Sequence, residues 1–440
     1  MQAKWWWEPV LHRIAALVIV AGGIMVATAW AAAADAEERA QVPTIQTTCV
    51  DDDATGYATF QSHNQKVVSN RRGIFMTYIR RRNDPYTAQQ WRLLWSRDGG
   101  RSFQTLHEDT HATNPAVLET DAEDTIYLVR PDFADGNSYL YRFLAADDYA
   151  EPRISTIPGS SHGKFAMALD PGRRQLYYFS ANNTFHAIGL DGEVRSSVRL
   201  LQPGPNAVLQ YPLLDMSPDG TLFAAWTTQK HGVYLYWDIH VMKSQDGGAS
   251  WQRLNGRPLE PPIVADDSGP ADRITLDDEF ECHTWLSSFI AKEGKLHFLY
   301  EAQTPEPREH YVRYDLQSGE RELDVYPRFG GETLGICRLD GFFATDADRA
   351  GGPLYCVGTA LSASRRLACV VSYDNGDTWR DYALSAREFG NLYAIGGCRT
   401  VTADGFVIGS CTDTPAGGSV RTGVSVHFLK VPTAASSPSE

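Results

Sequence analysis

The chain alternates between short runs rich in valine, leucine and aromatic residues and short polar stretches that contain glycine, asparagine or aspartate. Runs of this length, separated by turn residues, are typical of β-strands joined by hairpins. The runs group in fours, and the first set is predicted at Gln65–Ser69, Gly73–Arg80, Trp91–Ser96 and Ser102–Leu106. The pattern therefore predicts an all-β protein.

Similar sets follow along the rest of the chain. They are predicted at Pro115–Ile157, Lys164–Leu201, Leu209–Leu254, Glu281–Tyr326 and Leu339–Leu384, with three last strands between Tyr393 and Val431. That last set is one strand short. The strand-like segment Thr44–Val50, which precedes the first set, can supply the missing outer strand and so join the two ends of the chain.

One turn pattern, S-x-D-x-G-x-[ST]-[FW], occurs three times, at Ser96–Phe103, Ser244–Trp251 and Ser372–Trp379. The aspartate carboxylate can accept backbone N–H groups, the glycine allows a positive φ, and the aromatic side chain can fasten the turn to the sheet. Three matches over eight positions exceed what chance would produce, so the chain is built from a repeated unit.

This pattern is identified as the Asp-box, or BNR, repeat, and the chain therefore resembles the Asp-box β-propellers of the sialidase-like superfamily. The motif lies at the blade periphery in that superfamily, which implies a structural role for Asp98, Asp246 and Asp374. The first two repeats are 148 residues apart and the last two 128, which fits three and two blades of roughly 40–60 residues. The resemblance implies a single propeller domain over residues 44–431 with seven four-stranded blades, six being the alternative.

The N-terminal segment does not fit this pattern. Lys4 and Arg13 precede the apolar run Ile14–Trp30, which ends in the small residues Ala31–Ala36. These features predict a secretory signal over residues 1–36. The alternative is an uncleaved anchor, because the run approaches the ~20 residues that span a membrane. We expect a secreted or periplasmic protein, associated with a membrane only if the signal stays attached. The small polar tail at 432–440 is expected to be disordered.

Charge narrows the range of partners. The chain has 440 residues, with 40 Lys plus Arg against 54 Asp plus Glu, for a net charge of −14. Such a surplus of acid argues against nucleic-acid binding, which needs a basic footprint. Composition leaves the oligomeric state open.

Cysteine and acidic residues give no metal signature. The seven cysteines have no zinc-site spacing. Cys356 with Cys369, and Cys398 with Cys411, are candidate disulfides, and buried free thiols are the alternative. No cofactor is predicted. The acidic stretch Leu259–Glu281 lacks EF-hand spacing, so a solvated insertion is favoured over a structural Ca²⁺ site.

In a propeller, the innermost strand of each blade starts at the same mouth of the central channel at which the second strand ends, so polar residues at those positions converge there. The candidate catalytic residues are His63, His162 and Tyr211. The candidate substrate-binding residues are Asn64, Arg80, Asn114, Arg130, Lys164, Lys230, His231, His283 and Glu301. This set makes the mouth locally basic, which suits an anionic ligand. For the histidines, Arg80 and Tyr211, structural roles in turns or blade packing remain open.

A sialidase would hold its substrate carboxylate with three arginines, and its first-blade Arg-Ile-Pro pattern is replaced here by Ser62-His63-Asn64. The chain is more similar to the BNR-repeat family that includes the seven-bladed ulvan lyases. That similarity lies at His63-Asn64, at Tyr211-Pro212 with Asp219-Gly220 and Trp226, and at the repeat ending in Trp251.

The resemblance implies lyase chemistry on an acidic polysaccharide, in which the C5 proton of a uronate is abstracted and its carboxylate is neutralised. His63 or His162 would act as base and Tyr211 as acid, while Arg80, Arg130 or Lys164 would offset the carboxylate charge. Two other functions remain open: a sialidase-like glycoside hydrolase and a non-catalytic propeller that binds glycan or protein.

Overall fold

The structure, a computed structural model, describes residues 43–81, 89–276, 279, 281–304, 308–336, 338–360, 365–414 and 423–433. The predicted signal segment and residues 434–440 of the predicted tail lie outside the described residues. Residues from Thr44 onward form one compact unit. Over the described ranges the regular structure is β, apart from 3₁₀ turns at Ala145–Asp147 and at Glu279. The all-β prediction is confirmed.

After the N-terminal strand β1 (Thr44–Ala54), three antiparallel four-stranded sheets follow in chain order. The first contains β2 (Val67–Asn70), β3 (Gly73–Arg81), β4 (Gln89–Ser96) and β5 (Gln104–Ala112). The second contains β6 (Val117–Thr120), β7 (Ile126–Asp132), β8 (Asn137–Phe143) and β9 (Arg153–Ile157). The third contains β10 (Phe165–Asp170), β11 (Gln175–Ser180), β12 (Thr184–Gly189) and β13 (Val194–Arg199).

The next two sheets are built around longer strands. The fourth sheet contains β15 (Ala207–Met216), β16 (Leu222–Lys230), β17 (Tyr236–Ser244), β18 (Trp251–Gln252), β19 (Pro258–Leu259) and β21 (Asp272–Arg273). The short strands β14 (Leu201–Gln202) and β20 (Ile263–Val264) pair in parallel as a separate two-stranded sheet. The fifth sheet contains β22 (Thr284–Lys292), β23 (Lys295–Ala302), β24 (Arg308–Asp315) and β25 (Arg321–Val325).

The remaining strands form one continuous sheet that includes both ends of the described chain. Its strands are β26 (Arg328–Phe329), β27 (Glu332–Gly335), β28 (Phe342–Thr345), β29 (Leu354–Ala360), β30 (Arg366–Ser372), β31 (Arg380–Ser385), β32 (Leu392–Gly397), β33 (Phe406–Asp413) and β34 (Val424–Pro432). β1 lies antiparallel to β34, with Gln46 opposite Lys430, and pairs in parallel with β31. The pairing predicted for the N-terminal strand is therefore present.

The core lies between neighbouring sheets. One apolar cluster joins the third sheet to the fourth through Phe179 and Trp226, and another joins the fourth to the fifth through Phe223 and Phe298. All nine residues of β22 are buried, whereas β25 is partly exposed. Inner strands are covered on both faces, so their sequences are continuous apolar runs, whereas the sequences of outer strands include polar residues.

The three repeat turns have the predicted hydrogen bonds. In the first, the Asp98 carboxylate accepts the N–H of Arg101 at 3.0 Å and of Ser102 at 2.9 Å, which, with the Ser102 hydroxyl, lowers the pKa of Asp98. The equivalent glycines, Gly100, Gly248 and Gly376, have φ of +89°, +90° and +93°. These aspartates are therefore committed to turn structure.

Each of these glycines also lies against an aromatic ring of a neighbouring sheet. A Cβ at Gly100 would overlap Phe428, one at Gly248 would overlap Phe185, and one at Gly376 would overlap the Tyr311 hydroxyl. The repeat turns therefore contribute to packing between sheets as well as closing hairpins.

Gly248→Ala is expected to lower the free energy of unfolding by about 2–4 kcal/mol, because the new Cβ adds steric overlap with Phe185 to the cost of a positive φ. Chemical denaturation followed by tryptophan fluorescence would measure the loss. Gly232→Ala is the matched control, since Gly232 has φ +72° and no atom within 4 Å of its Cβ position. Equal losses for the two variants would contradict the packing role.

The acidic stretch Leu259–Glu281 lies partly within the fourth sheet. β21 pairs with β17 through Asp272 and Val241, so the stretch returns to the outer edge of that sheet. Its carboxylates bind protein groups. Asp266 accepts the N–H of Asn206 at 2.7 Å, and Asp272 accepts Arg253 Nη2 at 2.6 Å. No group of three or more His, Cys, Asp or Glu residues in the described chain is placed to hold a metal ion.

Glu279, near the end of this stretch, is tied to the fifth sheet by His310. His310 Nε2 lies 2.6 Å from Glu279 Oε1, and its Nδ1 lies 2.8 Å from Asp324 Oδ1. Burial lowers the pKa of His310, but the hydrogen bonds and charges of Asp324 and Glu279 outweigh burial and raise it to about 9. The imidazolium thus links two carboxylates.

Stability should consequently fall in alkaline solution. Because the folded pKa of His310 lies above its unfolded value of about 6.5, its contribution is complete below pH 6.5 and is lost as the pH rises through about 9. We expect a loss on the order of 3 kcal/mol, measured by urea denaturation between pH 6 and pH 10. His310→Gln should remove most of this alkaline slope, and a slope unchanged in that variant would assign it to other groups.

Cys49, Cys356, Cys369, Cys398 and Cys411 are free thiols. Cys356, Cys369, Cys398 and Cys411 are buried, so the free-thiol alternative describes this structure for both candidate pairs. Cys356 is paired in register with Val370, and Cys369 with Val357. Cys337 lies outside the described residues.

Candidate functional site

Residues from three sheets meet at one cluster. His63, just before β2, contacts Tyr211 of β15 with a ring-centroid distance of 5.7 Å and an interplanar angle of 78°. Lys164, just before β10, places its Nζ 4.6 Å from the centre of the Tyr211 ring. We call His63, Lys164 and Tyr211 the central triad. It brings together two candidate catalytic residues and one candidate binding residue from distant parts of the sequence.

His63 is a neutral imidazole at neutral pH. Its side chain is buried, with 6% of the residue exposed. Burial lowers its pKa well below the usual range, the charges of Lys66 and Arg399 lower it further, and a hydrogen bond to the Pro212 carbonyl partly opposes them. A neutral histidine can accept a proton, which is the state that a general base needs.

Lys164 is partly buried, and its ammonium donates to the Gln210 side-chain oxygen. Burial lowers its pKa to about 8. His162 lies beside it and accepts the Lys164 backbone N–H through Nδ1 at 3.1 Å. His162 therefore supports the loop from which Lys164 extends, and one of its ring nitrogens is already occupied.

Tyr211 is 4% exposed and belongs to an aromatic group. Its hydroxyl lies 3.3 Å from the Tyr236 hydroxyl, and its ring contacts Tyr236 at 5.2 Å and Phe60 at 6.2 Å. Burial and the neighbouring Tyr211 raise the pKa of Tyr236, so Tyr236 remains protonated while its oxygen accepts the Tyr211 hydroxyl hydrogen.

The two candidate arginines are held by protein carboxylates. Arg80 Nε lies 3.3 Å from Asp51 of β1. Arg130 donates to Asp132 at 3.1 Å and to the Tyr141 hydroxyl at 3.1 Å. Their positive charge is already compensated, which leaves Lys164 as the candidate cation beside Tyr211.

The two candidate asparagines donate to backbone carbonyls. Asn64 donates to Phe165 O, and Asn114 donates to Gly163 O. Both bonds fasten the segment next to Lys164, so these side chains position the central triad.

The remaining candidates lie around the fourth and fifth sheets. Lys230 Nζ is 3.5 Å from Glu281 Oε1, and His231 Nε2 is 2.9 Å from the Gly204 carbonyl. His283 Nδ1 accepts the Tyr236 N–H at 3.1 Å, and the buried Glu301 accepts the Arg338 N–H. None of these four contacts joins its residue directly to the central triad.

Two buried residues near the central triad were missed by the sequence reading. Lys66 is 1% exposed, its Nζ makes no hydrogen bond with a described residue, and burial lowers its pKa to about 7. Asp340 lies 3.2 Å from Ser62 Oγ, and burial raises its pKa to about 7. Lys66 lies within Gln65–Ser69, which is predicted to be the innermost strand of the first set, and a lysine in such a strand could have been noticed. Asp340 lies outside the strands, and nothing in the sequence around it marked it.

Two cavities, of about 340 and 450 Å³, lie at turns away from the central triad. The first is lined by the β15–β16 and β22–β23 turns with Lys243 and Lys292, and the second by the β10–β11 and β12–β13 turns. Neither is lined by a residue of the central triad. Across the described chain, no helix has the length and apolar character needed to span a membrane.

Known structures with a similar fold include polysaccharide lyases. A PL25 ulvan lyase aligns with a TM-score of 0.60 and 13% identity over 87% of this chain and 95% of its own, and its complex with -[GlcA(1-4)Rha3S]- aligns with a TM-score of 0.59 at the same identity and coverage. The polysaccharide lyase Uly1 aligns with a TM-score of 0.55 and 10% identity over 89% of this chain and all of its own. The chain has the β-propeller fold of these proteins. No family model and no curated protein matches the sequence.

Proposed function

We propose that this protein is a secreted carbohydrate-active β-propeller that cleaves an acidic polysaccharide by lyase chemistry. The observation that carries the proposal is the central triad, in which a neutral imidazole, a phenol and an ammonium meet within ring-contact distance. The fold shared with the ulvan lyases supports a carbohydrate substrate. The bound oligomer in one of those structures carries glucuronate and sulfate, which supports an anionic one.

The residues suit proton abstraction next to a uronate carboxylate. In this reaction the C5 proton moves to a base, the C4–O bond breaks, a C4=C5 double bond forms, and the leaving oxygen gains a proton. His63 takes the C5 proton, and Tyr211 delivers a proton to the leaving oxygen. Lys164 offsets the carboxylate charge that otherwise opposes carbanion formation. His63 is favoured over His162 because the His63 ring contacts Tyr211 directly, whereas His162 accepts the Lys164 backbone N–H.

The proposal also includes the number of blades, the nature of the repeat turns and the export of the protein. We assign seven blades to the sets β2–β5, β6–β9, β10–β13, β15–β18, β22–β25, β28–β31 and β32–β34 with β1, the last two of which belong to one continuous sheet. The three repeat turns are then Asp-boxes at blade edges. Export rests on the signal pattern in residues 1–36, and N-terminal sequencing of the mature protein from culture medium or periplasm would test it.

The lyase assay measures ultraviolet absorbance of the C4=C5 uronate formed from ulvan, glucuronan, alginate, pectin and hyaluronan. We expect absorbance to rise with one of these polymers and to be accompanied by shorter chains. Absence of absorbance across the panel would overturn the lyase proposal, and release of a fluorogenic sialic-acid aglycone would replace it with sialidase chemistry.

A second function, glycan binding without turnover, is favoured by one observation. His63 and Tyr211 are only 6% and 4% exposed, so a substrate reaches them only if surrounding groups move. Binding measured without any rise in absorbance or release of an aglycone would select this second function.

A further inference from the structure

A row of aromatic rings extends outward from the central triad to an exposed tyrosine. Tyr236 contacts Tyr211 at 5.2 Å and Tyr234 at 5.2 Å. Tyr234, in the turn between β16 and β17, is 73% exposed. A large aromatic side chain left this open to water commonly marks a binding surface when it adjoins other apolar groups.

The exposed ring is supported on two sides. Its edge meets Tyr236 at an interplanar angle of 68°, and His283 lies 5.7 Å away. His283 itself stacks on the buried Trp285 at 4.9 Å and 9°, and its Nδ1 accepts the Tyr236 N–H. Because Nδ1 is an acceptor, the ring hydrogen of neutral His283 is on Nε2. Tyr234 is therefore a ring fixed by its neighbours and accompanied by a fixed donor, so little rotamer freedom is lost when a ligand stacks on it.

The row continues on the other side of the central triad. Phe60 contacts Tyr211 at 6.2 Å and Tyr57 at 5.4 Å, and Tyr57 is 45% exposed. Two exposed tyrosines thus terminate the row, with His63 and Tyr211 between them.

Charges beside the row favour an acidic glycan over an apolar peptide. Lys164 Nζ lies 5.5 Å from the Tyr236 ring centre, and the Arg338 guanidinium lies 5.9 Å from the ring centre of Trp285, on which His283 stacks. Tyrosine and histidine offer apolar faces together with polar edges, which match the C–H faces and hydroxyl edges of a sugar.

We propose that Tyr234 and His283 form an outer sugar-binding subsite, that the exposed Tyr57 forms a second one, and that an acidic glycan chain spans the two. The inference deepens the proposed function and rests on it for the position of the reacting sugar. It makes the substrate an internal stretch of a polymer and not a single terminal sugar.

The test uses the full chain in native affinity gels that contain ulvan, glucuronan, alginate or hyaluronan, followed by calorimetry with the tetrasaccharide and disaccharide of the retarding polymer. Tyr234→Ala and Tyr57→Ala should each weaken tetrasaccharide binding roughly tenfold and leave disaccharide binding within twofold. Tyr234→Trp should restore the affinity. Tyr373→Ala is the matched control, since Tyr373 is 57% exposed and lies in a repeat turn at the other end of the strands.

Unchanged tetrasaccharide affinity in Tyr234→Ala would overturn the subsite, as would equal weakening for the disaccharide. If none of the polymers retarded the wild-type protein, the sugar-binding subsite would be overturned, and another ligand of Tyr234, such as a protein, would replace it. The test distinguishes failure of the subsite from failure of the lyase proposal. Turnover that is unchanged in Tyr234→Ala would contradict the subsite alone. Binding that depends on Tyr234 without any rise in absorbance would contradict the lyase chemistry alone.

Discussion

Replacing Asp215 with alanine should lower the free energy of unfolding by about 3–5 kcal/mol, the largest loss of stability that we expect from a single substitution. Asp215 is fully buried at the end of β15. It accepts Arg349 Nη1 at 2.6 Å and Nη2 at 2.9 Å, and it accepts the Ala291 N–H at 2.9 Å. Arg399 Nη1 lies a further 3.4 Å away. Removing the carboxylate would leave two largely buried guanidinium groups without this partner.

Equilibrium urea denaturation would measure the loss, and Asp219→Ala is the matched control. Asp219 lies in the next turn and is exposed, so its removal should cost about 1 kcal/mol or less. If the free energy of unfolding of Asp215→Ala were within 1 kcal/mol of the wild-type value, the Asp215 carboxylate would not be the group that joins the fourth and fifth sheets to the segments that carry Arg349 and Arg399.

The second large effect concerns the central triad. His63→Gln should reduce lyase turnover by about 10²–10⁴-fold, because it removes the general base and keeps a side chain of similar size. Tyr211→Phe should cause a loss in the same range by removing the proton donor. Initial rates of absorbance on the active polymer would measure both, with thermal unfolding used to check that each variant is folded.

His107→Gln is the control for the His63 variant. His107 is a half-buried histidine on β5, where it packs against Trp91 at 5.3 Å, outside the central triad. Its substitution should leave turnover within a few-fold. A His63→Gln variant with wild-type turnover would require a different base, and His162 would be examined next.

The strands and the repeat turns were predictable from the sequence because their hydrogen bonds are local. Asp98 bonds to residues three and four positions away, and each hairpin pairs neighbouring strands. The position of β1 beside β34 was also predictable, since the last set lacked a strand and Thr44–Val50 had no other partner.

The candidate site was only partly predictable. Position within a propeller predicted that His63, Lys164 and Tyr211 lie near one another, and both His63 and Lys164 contact Tyr211 in the structure. The same rule selected Arg80 and Arg130, whose charges are compensated by Asp51 and Asp132. The position of a residue in a strand predicts which end of the channel it is near, but it does not predict the carboxylate with which its side chain pairs.

What remained undetermined were contacts between residues far apart in the chain. Asp215 and Arg349 are 134 positions apart, and the row from Tyr57 to Tyr234 combines rings of the segment between β1 and β2 with rings of the fourth sheet. Local patterns specify strands and turns, because those depend on backbone preferences and alternation over a few residues. The buried charge cluster and the aromatic row depend on how the sheets pack together, so their members have no shared spacing in the sequence and only the tertiary structure brings them into contact.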